Sequence, residues 1–227
     1  MNQQIIDFLG IIPARSGSKR LPNKNILPLR GKELIYYSIF ASSQSKYLTE
    51  TIFSTDCEII QSIAKSFGAY SPFIRPKYLA EDNITNIDVI KHAINWYKET
   101  RDAHIKNIVL LQPTSPFRTS HDIDKSIQIF CKNNSPTLAS VTGPYKKRHP
   151  TLMKIHDNKM TKYSHEDEST YYRYNASIYI SSFDHLHTMG SIFSDEQSFY
   201  IMSNYQIDID TEEDLKAANM LAPMYLP

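Results

Sequence analysis

Asn107-Ile108-Val109-Leu110-Leu111-Gln112 is the clearest buried strand in the chain: four consecutive aliphatic residues, stopped by the turn Pro113-Thr114-Ser115-Pro116. A short apolar run without alternation marks a strand covered on both faces, as in a parallel sheet flanked by helices. On its C-terminal side, Ile123, Ile127 and Phe130 fall at helical spacing, and Thr137 to Thr142 reads as a further strand. On its N-terminal side, Ile87, Ile90, Ile94 and Tyr97 mark a helix with Thr85 or Asn86 as its cap. Ala69 to Ile74 reads as a strand running into Arg75-Pro76, and Ile59, Ile60, Ile63, Ala64 and Phe67 as a helix closed by a left-handed Gly68. Thr51 to Ser54 is a short strand, and Leu34, Ile35, Ile39 and Phe40 give a helix to about Ser45. Ile5 to Ile12, stopped by Pro13, is the first strand. Strand, loop and helix thus repeat four times. That rhythm predicts an α/β fold with a mostly parallel sheet, helices on both faces and ligands at the carboxyl ends of the strands.

From Gly143 to about Gly190 the rhythm gives way to shorter, polar, tyrosine-rich pieces such as Tyr171 to Ile180, which read as inserted hairpins. Phe199 to Asp208 returns to strand pattern, and Thr211-Glu212-Glu213-Asp214 opens a closing helix. The expectation is one domain over residues 1–227 with an inserted arm at about 143–190.

Composition narrows the classes. The 25 Lys+Arg against 24 Asp+Glu leave a formal charge of +1, which argues against a broad cationic nucleic-acid binder. With 41% apolar residues the chain can fill a core, so disorder is excluded. Cys57 and Cys131 stand far apart, outside any disulfide or zinc pattern, as expected of a reducing cytoplasm. Met-Asn-Gln-Gln has no basic leader region, and no apolar run approaches the roughly 20 residues a bilayer span needs. A cytoplasmic protein with neither nucleic-acid nor membrane partners is expected.

The small net charge hides segregation. Between Arg15 and Lys32 stand six bases (Arg15, Lys19, Arg20, Lys24, Arg30, Lys32) and no acid, whereas Asp208, Asp210, Glu212, Glu213 and Asp214 put five acids into seven residues. The basic stretch follows the first strand directly, where small residues let backbone N–H groups approach phosphate oxygens and Arg15, Lys19 and Lys24 can neutralise a triphosphate. It is neither a P-loop nor a Gly-x-Gly-x-x-Gly turn. The alternative is a solvated basic loop. Asp208 and Asp210, two apart on an extended segment, put both carboxylates on one side and suit a divalent metal. A buried strand has little other use for two unpaired carboxylates. For Asp210 the alternative is the N-cap of the last helix, with Thr211 the rival cap. His185-x-His187 has no third ligand nearby and reads as surface loop, and Trp96 as packing. The tyrosines Tyr171, Tyr172 and Tyr174 suit an interface or a sugar wall equally.

IIPARSGSKRLPNKNI (residues 11–26) resembles the signature loop of the CMP-N-acetylneuraminate (CMP-sialic acid) synthetase family of cytidylyltransferases. Three further blocks agree in order and spacing: STDCEII (54–60), LLQPTSPFR (110–118) and IDIDTEEDL (207–215). The resemblance implies a three-layer, Rossmann-like nucleotidyltransferase fold and a homodimer whose inserted arm reaches the partner's site. It also implies transfer of CMP from CTP to the anomeric hydroxyl of a nonulosonic acid, releasing pyrophosphate with Mg²⁺ as cofactor. Arg15, Ser18, Lys19, Lys24, Asn25, Arg75 and Asn86 match CTP-binding positions. Gln112, Lys154, Arg173, Asn175, Tyr179 and Phe193 fall to the sugar acid, Asp208 and Asp210 to the metal. Arg15, Lys19 and Asp210 carry the catalytic roles, while the general base is open between Asp210 through water and a metal-held hydroxide.

Two departures from the family pattern bear on the acceptor. His165-Glu166 stands where many relatives have Arg-Gln, whose arginine meets the sugar carboxylate, so that Arg173 or Lys154 is the expected substitute. Ala176 stands where many have glycine. His149-Pro150 resembles the start of the arm. A CMP-legionaminic acid synthetase is the alternative within enzymes, and a catalytically silent nucleotide-sugar binding protein the alternative outside them.

Overall fold

The computed structural model describes residues 4–145, 152–156, 159–162 and 171–226. His149, Pro150, His165 and Glu166 lie outside the described residues, as does the side chain of Lys154. In chain order the elements begin with β1 (Gln4–Pro13), the basic loop with a 3₁₀ turn at Lys24–Ile26, and the two-residue strands β2 (Pro28–Leu29) and β3 (Lys32–Glu33). They continue with α1 (Leu34–Ser43), β4 (Glu50–Ser54), α2 (Glu58–Ser66), a 3₁₀ turn at Lys77–Ala80, α3 (Asn86–Arg101) and β5 (Ala103–Leu111). Then come α4 (Ser120–Asn133), β6 (Thr137–Tyr145), β7 (Leu152–His156), β8 (Lys159–Lys162), β9 (Tyr171–Ser182), α5 (Phe183–Met189), β10 (Ser198–Ile201) and α6 (Glu212–Tyr225).

The main sheet runs β10-β6-β9-β5-β1-β4, with β7 and β8 continuing from the outer part of β9. β4, β1 and β5 are parallel neighbours, as are β6 and β10, and β9 alone on this path runs the other way. Along β5, Val109 and Leu111 face one layer and Ile108 and Leu110 the other, as the period of a strand requires. The first layer is α1, α2 and α4, through Ile35, Ile39, Ile60, Ala64, Ile123 and Ile127. The second is α3 and α5, through Ile90, Ile94, Tyr97 and Leu186. A third cluster, with Leu21, Leu29, Leu34, Ile209, Ala218 and Ala222, seats α6 against the basic loop. It brings residues 21–34 against the last helix.

Three helices start on complete capping boxes: Thr85 with Asp88, Thr119 with Asp122, and Thr211 with Asp214. Thr85 rather than Asn86 therefore caps α3, and Thr211 rather than Asp210 caps α6. Both competing side chains are left to face the site. Gly68 follows α2 with φ +84°, the left-handed closure its position predicts.

Three sequence expectations about strands need correction. Tyr171 to Ile180 is not an inserted hairpin: β9 fills the middle of the sheet between β5 and β6. Tyr179 to Ser181 pair with both β5 and β6, whereas its polar first half lies beyond the stretch that β5 covers and pairs with β6 and β7. Ala69 to Ile74 is not a strand, because only Tyr70 bridges to Ile52. Pro72 lacks a ladder N–H, and the Gln61 side-chain amide donates to the carbonyls of Ser71 (3.0 Å) and Phe73 (2.9 Å) in place of a neighbouring strand. β10 ends at Ile201, well before Asp208; the segment beyond is tied in by the Ile209 N–H donating to the Thr114 carbonyl at 2.8 Å. No helix among the described residues is long and apolar enough to cross a membrane.

Candidate functional site

A cleft of about 460 Å³ opens where β1 and β5 end. The basic loop contributes Arg15, Ser18, Lys19, Lys24 and Asn25 to it. Arg75, Asn86, Gln112 and Asp210 come in from four other segments. Nine of the predicted site residues thus meet in one cavity, at the edge of the sheet where the fold class collects ligands.

The loop is held from beneath. Asp56, just past the end of β4, accepts from the Ser16 N–H at 2.9 Å and from the Ser16 hydroxyl at 2.6 Å. Arg75, 2% exposed, lies 3.7 Å from the same carboxylate. Burial works to raise the Asp56 pKa, but the Ser16 bonds, with Arg75 beside them, outweigh it and hold the carboxyl below its ordinary value. Burial also pushes the Arg75 guanidinium down, against the pull of Asp56. Asn25 is buried and spends an amide N–H on the Arg15 carbonyl at 2.9 Å, so it shapes the loop that carries Arg15.

The cations of the loop meet carboxylates from two sides. Asp82 accepts from Arg15 at 3.0 Å and pairs with Lys19. Asp210 accepts from Arg20 at 2.6 Å and from Lys24 at 2.8 Å. Asp210 is therefore not the unpaired carboxylate of a buried strand that the sequence suggested: its segment is irregular and both its oxygens are engaged. Asp208 lies beside the cleft rather than in its lining. Crowding by the surrounding protein raises its pKa above the usual carboxylate range; the Thr114 hydroxyl counters, Asp210 adds and Lys24 counters. Two carboxylates with a threonine hydroxyl nearby are hard oxygen donors, and in chemical kind they fit a magnesium ion.

Of the residues expected at the acceptor, Gln112 lines the cleft, whereas the others lie on or beside β9, outside the cleft lining. Asn175 is buried; its Oδ1 accepts from the Ser140 hydroxyl at 2.5 Å and the Ser177 N–H at 3.2 Å, while its Nδ2 has no partner among the described residues. Tyr179 and Phe193 face each other at 5.5 Å, and Tyr174 joins them at 6.4 and 5.4 Å. Burial raises the Tyr174 hydroxyl to about 12 and the Tyr179 hydroxyl further. Arg173 is exposed on β9, and Lys154 sits on β7 opposite Tyr171. Ala176 holds φ +59°, the left-handed conformation that glycine occupies freely, which gives a backbone reason for glycine there.

Several residues at the site had no role in the sequence reading. Asp82 follows Glu81 in a loop, and its pairing across the cleft leaves no local signal. Asp56 follows the carboxyl end of β4, a position the fold rule itself marks. Of the secondary candidates, His185 and His187 belong to α5 rather than to a loop. His185 Nε2 lies 3.0 Å from the Phe193 carbonyl oxygen, and His187 stacks on Phe183 at 5.6 Å. Trp96 packs on Phe73 at 5.4 Å.

A mostly parallel sheet with helices on both faces and an anion-ready cleft at its carboxyl edge defines a Rossmann-like nucleotide-binding class. The fold is shared with CMP:2-keto-3-deoxy-manno-octonic acid synthetase, solved with CTP, at a TM-score of 0.80 over 97% of this chain and 100% of that one, with 17% identity. The chain belongs to the cytidylyltransferase family, whose model matches residues 9–225. It is 32% identical over 222 residues to the post-translational flagellin modification protein B of Campylobacter coli, covering 95% of this chain and 94% of that one. It is 32% identical to the CMP-N,N'-diacetyllegionaminic acid synthase of Legionella pneumophila, covering 91% and 92% of the two chains. With the N-acylneuraminate cytidylyltransferase of Escherichia coli it shares 35% identity over 93% of this chain and 51% of that enzyme, so it spans about half of that protein.

Proposed function

We propose that the protein transfers CMP from CTP to the anomeric hydroxyl of a nonulosonic acid and releases pyrophosphate. One observation carries the reading: four cations or phosphate-ready groups of one loop, Arg15, Ser18, Lys19 and Lys24, line the same cleft as Asn86, Gln112 and Asp210. The triphosphate lies along the basic loop, with Arg15 and Lys19 on the leaving β,γ-phosphates and Lys24 beside the α-phosphate. The acceptor enters from the β9 side, past Gln112. Its hydroxyl oxygen forms a bond to the α-phosphorus as the bond to the pyrophosphate oxygen breaks, and the hydroxyl proton leaves toward Asp210 or water. Asp208 and Asp210 would hold Mg²⁺, which when bound supplies positive charge to the phosphates. No covalent enzyme intermediate is needed. Two acceptors are carried forward, N-acetylneuraminate and a legionaminic acid; the second is favoured by the Legionella relative, which covers the chain almost end to end.

Phosphorus NMR on a completed reaction tests the chemistry. A phosphodiester signal for the α-phosphorus together with free pyrophosphate is expected, whereas CMP as the only α-phosphorus product would make the protein a hydrolase. The proposal includes a homodimer in the cytoplasm. Light scattering is expected to give twice the 26.2 kDa chain mass, and a single-chain mass would remove the dimer.

A further inference from the structure

Arg118 is 3% exposed, and its guanidinium meets neutral acceptors from three elements. Nη1 donates to the carbonyl of Gln112 at 3.2 Å and to the carbonyl of Ser177 at 2.9 Å, and Nη2 donates to the Ser38 hydroxyl at 2.6 Å. The Ser38 hydroxyl in turn reaches the Gln112 carbonyl at 3.4 Å. Asp122, one turn further along the chain, makes no hydrogen bond to the guanidinium. Its Oδ2 caps Thr119 and its Oδ1 accepts from the Tyr200 hydroxyl at 2.8 Å. Burial lowers the Arg118 pKa to about 10, with Asp122 pulling the other way. A buried cation without a bonded carboxylate is a costly choice for stability alone, where an apolar side chain of similar volume often serves as well.

What the guanidinium joins is specific. Gln112 follows β5 directly and lines the cleft. Ser177 belongs to an irregularity in β9, where pairing to β6 jumps from Ala139 opposite Tyr179 to Val141 opposite Tyr174. Three extra residues of β9 are taken up there. Ala176 lies at φ +59°, the Ile178 N–H donates to the Ser140 hydroxyl at 2.9 Å, and the same hydroxyl donates to Asn175. The bulge also touches the turn after β5, through the Ser115 hydroxyl donating to the Asn175 carbonyl at 3.3 Å. The carbonyl and Oδ1 of Asn175 are thus engaged, while its Nδ2 has no partner among the described residues.

We infer that Arg118 is a positioning residue, which fixes the β9 bulge to the end of β5 and so sets where Asn175 and Gln112 stand relative to each other at the acceptor side. The functional consequence rests on the reading of the cleft as a CMP-transfer site, whereas the positional claim does not. Arg118→Lys keeps the charge and loses the fork; Arg118→Met keeps the bulk and loses the charge. In hydrogen exchange, both variants are expected to speed exchange in peptides covering residues 112–115 and 174–179, with β1 and β4 unchanged. In kinetics, the acceptor KM is expected to rise roughly ten-fold while CTP affinity stays within about two-fold, with Lys milder than Met. Should Arg118→Met fail to fold, Ser38→Ala removes one arm of the same network and is expected to shift both readouts in the same direction, less strongly. Unchanged or uniformly faster exchange overturns the positional claim even if wild-type protein turns nothing over. Equal factors on CTP affinity and acceptor KM overturn its acceptor-side role.

Discussion

Lys24 Nζ lies 2.8 Å from Oδ1 of Asp210, an ion pair between residues 186 positions apart that joins the basic loop to the acidic corner. The two charge runs that the sequence keeps at opposite ends of the chain are neighbours in the fold, brought together by the packing of α6 on Leu21, Leu29 and Leu34. Asp210 therefore has two functions to separate, holding the loop and holding a metal. Asp210→Asn is expected to lower kcat about 100-fold. Because the change also releases Arg20 and Lys24, CTP affinity measured without divalent cation is expected to hold or tighten in calorimetry. A matching loss in both quantities contradicts this division.

Asp82 pairs with Arg15 and Lys19, the two cations proposed to hold the leaving phosphates. Removing its carboxylate in Asp82→Asn should tighten CTP binding by roughly two- to five-fold at low ionic strength, and less as salt screens the exposed charges. Weaker binding in the variant would show instead that Asp82 aligns the two cations for the ligand.

The Asp56 carboxylate is both the anchor of Ser16 and the partner of buried Arg75. Asp56→Ala leaves that guanidinium uncompensated and is expected to cost about 3 kcal/mol in denaturant unfolding at neutral pH. The pH dependence has a definite sign. Since the folded pKa is held below its ordinary value of about 4, the stabilisation is present above that pH and is lost as pH falls through the folded value. The variant should show a shallower loss of stability on acidification than the wild type.

Ala176 pays a steric cost of about 1–2 kcal/mol for its left-handed backbone, and glycine gives back about 0.5–1 kcal/mol of that through its looser unfolded chain. Ala176→Gly is expected to raise the melting temperature slightly. A clear fall would mean that the Cβ makes packing contacts worth more than the strain.

The sequence made the repeating half of the fold readable because there each element carries its own signal. β5 reads as NIVLLQ, α3 and α4 show three- and four-residue spacing, and Thr85 and Thr211 mark helix starts. β9 escaped because its place between β5 and β6 is a property of non-local pairing, and its tyrosine-rich first half looks like surface. The cleft was legible for the same reason the loop was: Arg15, Lys19 and Lys24 are close in sequence and follow a strand. Asp82, Asp56 and Arg118 were not, because each acts through a partner 40 or more residues away.

Acceptor-dependent release of pyrophosphate from CTP tests the central claim most directly, run with N-acetylneuraminate, N,N'-diacetyllegionaminate and no acceptor, each with and without Mg²⁺. Release is expected only when an acid and the metal are both present, faster with one acid than with the other. Release without any acceptor, or none with any nonulosonic acid while CTP still binds, would contradict CMP transfer to such an acid.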